Sequence, residues 1–218
     1  MRVKICGVTT IEDALLAADL GASAIGLVFW PGSPRHVAIE RAGAIVAALP
    51  PFVQAVGVFV DQVEHAASVA RTVGLGAVQF HGDETAGSYR DFPLRVIKSV
   101  AVRDESALDH AAAIPTTATV LLDAHDPIRR GGTGMPIDWT IAARIARRRP
   151  VILSGGLTAG NVIEALISVA PYAIDVSSGV EASAGRKDPD KLRALFAAVR
   201  AAQQRVGERA VAAETKML

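Results

Sequence analysis

One thiol and one carboxylic acid carry the plainest chemistry in this chain. Cys6 is the only cysteine among 218 residues and ends the apolar run RVKIC, directly before Gly7. Asp123 ends a second apolar run, TVLLD. A thiol, with an ordinary pKa of about 8.5, lies close enough to neutrality to be tuned as a base. A carboxyl group facing it across a shared substrate completes an acid/base pair. Each residue also has an ordinary reading. Free cysteines are commonly buried and inert, and an aspartate at a strand end often caps the next loop.

Other residues add to the pair. Arg35 lies in FWPGSPRHV, where Trp30, Pro31 and Pro34 stiffen the chain, and an arginine so placed can grip a carboxylate bidentately; the alternative is a solvated loop arginine. His81, in QFHGDE, reads equally as a locally satisfied histidine or a substrate contact. Three glycine clusters bear on phosphate: RRGGTG with Gly132 and Gly134, SGGL with Gly155 and Gly156, and SSGVE with Ser178 and Gly179. Without a Cβ, backbone N–H groups approach an anion closely. One such turn says little, since tight turns need glycine anyway; two in consecutive loops point to a phosphate. His36, His65, His110 and His125 show no metal-ligand spacing and there is no second cysteine, so no metal site is expected. A nucleophile elbow, a Walker lysine and a dinucleotide fingerprint are all missing.

These residues follow apolar runs of strand length. Eight such runs, RVKIC, AIGLVF, QAVGVFV, GAVQFH, LRVIKSV, TVLLDA, PVILSG and YAIDVSS, are rich in Val and Ile and lack clear alternation, as in parallel strands buried on both faces. Stretches with helical spacing lie between them. TIEDALLAADLGA has Thr10 as an N-cap, Asp13 three residues on and Gly21 as its stop; DETAGSYRDF is the weakest. Strand and helix alternate eight times. Right-handed crossovers turn that order into a single (β/α)8 barrel, α/β in class, spanning residues 1–202; an open doubly wound sheet competes. Residues 203–218 form a tail that extends the last helix or frays. In such a barrel the active site sits at the C-terminal ends of the strands, and the loops after strands 7 and 8 commonly take phosphate. The first and sixth strands stand on opposite sides, so Cys6 and Asp123 can face one mouth. Lys98 and Ser99 are expected on the same rim, at the end of the fifth strand.

Composition excludes several classes. Lys and Arg number 23 against 22 Asp and Glu, which gives no electrostatic case for nucleic acid or an anionic membrane surface. One cysteine excludes an internal disulfide framework and fits a reducing compartment. No signal pattern opens the chain and no apolar run is long enough to span a bilayer, so the expected location is cytoplasmic.

The chain resembles the phosphoribosylanthranilate isomerases of tryptophan biosynthesis. The stretches that carry the resemblance are VKICGVT, GLVFWPGSPR, VGVFV, VQFHGDE, LLDA, GGTG with DW, SGGL with NV, and DVSSGVE with GRKD, in order over nearly the whole chain. KICG and DVSSGVE are the specific ones. Ile137 stands where the family commonly has Phe, and Ala159 and Ala184 where proline is frequent; these changes bear on loop packing. The resemblance implies a phosphorylated small-molecule substrate, no cofactor, and an Amadori rearrangement in which Cys6 is the base and Asp123 the acid. Arg35 would hold the anthranilate carboxylate, with His81 and Asp175 as further substrate contacts, and the glycine loops would hold phosphate. A sister sugar-phosphate isomerase of histidine biosynthesis, or an enzyme doing both reactions, would instead offer carboxylates at both catalytic strand ends and a phosphate loop in each half. A catalytically silent barrel would not need Cys6 and Asp123. A closed barrel needs no partner to complete it, so a monomer is expected.

Overall fold

The computed structural model describes residues 1–124 and 137–215, with side chains up to residue 204. Eight parallel strands close into a barrel in chain order. They are β1 (Arg2–Cys6), β2 (Ala24–Val28), β3 (Gln54–Phe59), β4 (Ala77–Phe80), β5 (Arg95–Ala101), β6 (Ala118–Asp123), β7 (Val151–Leu153) and β8 (Ala173–Val176). Each overlaps one of the apolar runs. The helices between them are α1 (Ile11–Leu20), α2 (Ile39–Ala48), α3 (Val63–Val73), α4 (Ala86–Tyr89), α5 (Ser106–Ala113), α6 (Trp139–Ala146) and α7 (Val162–Val169). The weak stretch DETAGSYRDF forms only the four residues of α4. After β8 come a 3-10 turn (Ser178–Val180), a small antiparallel pair, β9 (Glu181–Ser183) and β10 (Arg186–Lys187), and α8 (Pro189–Thr215).

Local signals set the helix ends. Thr10 Oγ1 accepts the Asp13 N–H at 3.1 Å, and Gly21 closes α1 in the left-handed conformation at φ 111°. Asp138 caps α6 by accepting the N–H groups of Thr140 and Ile141. Helices and the outer faces of the strands share the main core, in which Phe29 and Phe59 stack at 5.1 Å.

The bore is layered. Val56, Ala77, Ile97, Leu121, Ile152 and Ala173 fill its lower part. Successive residues of a strand point to opposite faces, so two residues further along the same strands also face inward. On β4 that residue is Gln79, on β6 Asp123 and on β8 Asp175; on β1, Lys4 and Cys6 share the inner face. Lys98 departs from expectation. Strand β5 continues to Ala101, and with Ile97 in the bore Lys98 faces outward. There it pairs with Glu84 at 2.9 Å and donates to the Gly82 carbonyl at 2.6 Å, away from the mouth.

Candidate active site

At the C-terminal mouth of the barrel, one pocket is lined by Cys6, Arg35, Gln79, His81, Asp123 and Asp175, by Ser154 to Leu157 after β7, and by Ser177 to Gly179 after β8. Cys6, Arg35, His81, Asp123, Asp175, Gly155, Gly156, Ser178 and Gly179 therefore reach it, whereas Lys98 and Ser99 do not line it. Gly132 and Gly134 lie outside the described residues. Val28, Val58 and Trp30 pack against Cys6 on the apolar wall.

Two glycines make room for the thiol. A Cβ on Gly26 of the neighbouring strand would come within 2.8 Å of Cys6 Sγ and 3.1 Å of Lys4 Cε. Gly7 adopts φ 72°, a left-handed turn that L side chains rarely take, and a Cβ there would collide with the stem of Arg35. The Cys-Gly pair thus ends the strand, turns the chain and lets Arg35 cross above the thiol.

Beneath the mouth runs a buried polar chain that crosses the bore. Lys4 Nζ donates to Asp175 Oδ1 and to Gln79 Oε1, each at 2.9 Å. An ammonium has donors only, so the Gln79 oxygen faces Lys4 and its amide N–H faces His81 Nδ1, at 3.0 Å. Nδ1 is then the acceptor, and the remaining ring proton sits on Nε2, 3.3 Å from Asp123 Oδ2. This tautomer is assigned from the network: Lys4 orients Gln79, Gln79 selects the histidine tautomer, and the histidine aims its N–H at Asp123.

Charge around the thiol is balanced against burial. Burial pushes the Cys6 thiol above its ordinary value; Lys4 and Lys187 pull it down, and Asp175 pushes it up, with burial dominant. Burial alone would depress Lys4, but Asp175 and Cys6 hold its ammonium above the usual range. Lys4 points inward, to Gln79 and Asp175, and its downward pull on the thiol is outweighed by burial.

Arg35 is engaged within the protein. Its Nε and a terminal nitrogen donate to the two oxygens of Glu181 at 2.9 and 2.7 Å. The bidentate edge of Arg35 is thus taken by an internal carboxylate, while the guanidinium still lines the pocket. Glu181 and Lys187 were not singled out beforehand, nor was Gln79.

The glycine loops after β7 and β8 interlock. Asn161 Nδ2 donates to the Gly156 carbonyl at 2.9 Å, and its Oδ1 accepts the Thr158 N–H at 2.8 Å, which braces the first loop. Gly155 and Gly156 take φ 86° and 64°. A Cβ on Gly155 would come within 2.9 Å of the Ala124 nitrogen, and one on Gly179 would strike the Leu157 carbonyl.

The family model for N-(5'phosphoribosyl)anthranilate (PRA) isomerase matches residues 3–198. The N-(5'-phosphoribosyl)anthranilate isomerase of Trichlorobacter lovleyi is 49% identical over 195 residues, covering 88% of this chain and 95% of the relative. Among solved structures, monomers generated from the dimeric enzyme of Thermotoga maritima align with TM-score 0.82 at 37% identity, covering 92% of this chain and 99% of that one. A phosphoribosyl anthranilate isomerase in complex with reduced 1-(o-carboxyphenylamino)-1-deoxyribulose 5-phosphate aligns with TM-score 0.81 at 39% identity, with the same coverage. With its thiol and carboxyl group facing one pocket of the same barrel, the chain belongs to the N-(5'-phosphoribosyl)anthranilate isomerase family, aldose–ketose isomerases of tryptophan biosynthesis.

Proposed function

We propose that this chain converts N-(5-phosphoribosyl)anthranilate to 1-(2-carboxyphenylamino)-1-deoxyribulose 5-phosphate with Cys6 as base and Asp123 as acid. The observation that carries the assignment is that both groups line one pocket, from strands β1 and β6 on opposite sides of the barrel. Asp123, in its carboxylic acid form, gives its proton to the furanose ring oxygen, while Oδ2 keeps the His81 Nε2–H contact that orients it. The C1′–O bond breaks as the anilino nitrogen forms a double bond to C1′, giving an open-chain iminium. Cys6, as thiolate, removes the proton from C2′, and those electrons neutralise the iminium to an enolamine. C1′ then takes up one proton and the C2′ hydroxyl gives one up, which yields the ketone. The substrate nitrogen is the electron sink, so the side chains have only protons to move. Loss of the fluorescence of freshly generated phosphoribosylanthranilate is the direct test; an inactive, correctly folded chain overturns the proposal.

Arg35 holds the anthranilate carboxylate with the part of its guanidinium that Glu181 leaves open. That carboxylate is present in ground and transition states alike, so Arg35→Met is expected to raise KM with kcat largely kept. Steady-state kinetics check this, and a fall in kcat alone contradicts it. Asp175, fixed by Lys4, meets the substrate hydroxyls.

Phosphate binds between the loops after β7 and β8, to backbone N–H groups of Gly155, Gly156, Ser178 and Gly179. Side-chain deletion such as Ser178→Ala is therefore expected to be mild. Gly156→Val is expected to weaken substrate binding sharply, because a branched residue is strained at φ 64° and fills the space the anion needs. Inhibition by inorganic phosphate, measured in both variants, checks the pair; undiminished phosphate competition in Gly156→Val places the anion elsewhere.

A closed barrel needs no partner to complete it, so we infer a monomer; sedimentation velocity tests it, and a dimer overturns it. A free thiol as base fits a reducing cytoplasm.

A further inference from the structure

The β9–β10 hairpin lies outside the barrel, yet it reaches deepest into the site's supports. Lys187, whose side chain is fully buried, spends its ammonium on three acceptors: the Cys6 carbonyl at 2.6 Å, Glu181 Oε1 at 2.9 Å and the Ser177 carbonyl at 3.3 Å. Glu181 is 6% exposed; its carboxylate takes this ammonium, the two Arg35 donors and the Gly185 N–H. The hairpin is itself tied down. Thr9 Oγ1 donates to the Gly185 carbonyl at 2.6 Å, Asp13 accepts the Lys187 N–H at 3.0 Å, and Lys191 Nζ donates to the Glu181 carbonyl at 2.7 Å. The ends of β1 and β8 and the loop carrying Arg35 thus meet on two charged side chains.

We propose that Glu181 and Lys187 are positioning residues for the isomerisation, Glu181 orienting the Arg35 guanidinium toward the substrate carboxylate and Lys187 fixing the strand end and local field of Cys6. This rests on the roles given above to Arg35 and Cys6. Two features favour positioning over mere hairpin stability. The three acceptors of Lys187 belong to the base's own peptide, the phosphate loop and the Arg35 anchor. Among the described residues, only the edge of Arg35 that pairs with Glu181 is occupied, which sets the plane of the whole fork. Electrostatics agree. Arg35 and Lys187 hold the Glu181 carboxyl below the usual carboxylate range despite its burial, and Lys187 is one of the cations drawing the thiol down. Among the described residues, the other charged groups around Cys6 are Lys4 on β1, Asp175 on β8 and Arg35, with His81 and Asp123 lining the same pocket.

The single cysteine permits a test that does not depend on turnover. The rate of iodoacetamide alkylation against pH reports Cys6 ionisation alone, with folding followed by circular dichroism. Lys187→Met removes a cation beside the thiol, so its alkylation profile is expected to move to higher pH than in the unmodified chain. Glu181→Gln frees Arg35 from its charged anchor and is expected to raise KM by on the order of 10-fold while kcat changes much less, the size associated with one hydrogen bond to a charged group. An unmoved alkylation profile in folded Lys187→Met, or a Glu181→Gln variant whose KM is unchanged, overturns the proposal. If Lys187→Met fails to fold, the KM and kcat split in Glu181→Gln decides. Arg35→Met separates the two levels: a raised KM there with none in Glu181→Gln rejects the positioning role alone, whereas no change in either rejects the carboxylate grip as well.

Discussion

Cys6→Ala is expected to lower kcat by on the order of 10²–10⁴-fold, the usual worth of a positioned acid or base, while the barrel persists. Among the described apolar residues, Cys6 clusters with Val28, Val58 and Trp30 at the top of the bore. Removal of the sulfur leaves a gap smaller than a methylene pair, with a cost of about 1 kcal/mol or less. Thermal melting with single-turnover kinetics separates the two effects, and near-wild-type turnover removes Cys6 from the mechanism. The pH dependence carries a sign. Burial favours the neutral thiol and outweighs Lys4 and Lys187. The proton must leave before the sulfur can act as base, so kcat/KM, which reports the free enzyme, is expected to climb as pH rises past the ordinary thiol range. In Cys6→Ala that ascending limb is expected to vanish.

The barrel was legible because eight Val- and Ile-rich runs alternate with helical stretches, and parallel strands buried on both faces have nowhere else to go. The rim was legible for the same reason: Cys6, His81 and Asp123 stand at or just past the last strand residues. What lies one layer below was read only for Asp175, and there through the family resemblance. Lys4, Gln79 and Asp175 look like polar interruptions of apolar runs. Yet Lys4 and Cys6, Gln79 and His81, and Asp175 and Ser177 are each spaced by two, the period that puts both members on one face of a strand. That signal was present and went unused. The Arg35–Glu181 pair had no local signal, because the partners are 146 residues apart. Its ion pair depends on Gly7 clearing a path for the arginine stem, which only the fold reveals. The two strands of the hairpin, three and two residues long, are too short to show any periodicity. Lys98 misled because the fifth strand was taken to end there, whereas β5 carries that charge outward to Glu84 and continues to Ala101.

Asp123→Asn is expected to lose on the order of 10²–10⁴-fold in kcat with ligand binding nearly intact. The substitution keeps the shape of the side chain, and its carbonyl oxygen can still accept the His81 Nε2–H that now meets Asp123 Oδ2 at 3.3 Å. Lys4, Gln79 and His81 therefore keep their orientations, and the pocket keeps its form. What disappears is the carboxyl group's ability to pass a proton to the furanose oxygen, since an amide is far too weak an acid. Without that proton the C1′–O bond must break to an alkoxide, and the thiolate never meets the acidified C2′ hydrogen. Binding of the reduced product analogue, measured by calorimetry in the Asn variant, is expected to stay within a few-fold of the unmodified protein, because its chain is already open and needs no acid. A large loss of analogue affinity would make Asp123 a binding residue instead. An Asn variant that retains turnover would pass the ring-opening role to another group, and His81, adjacent and already carrying its proton on Nε2, is the one to replace next.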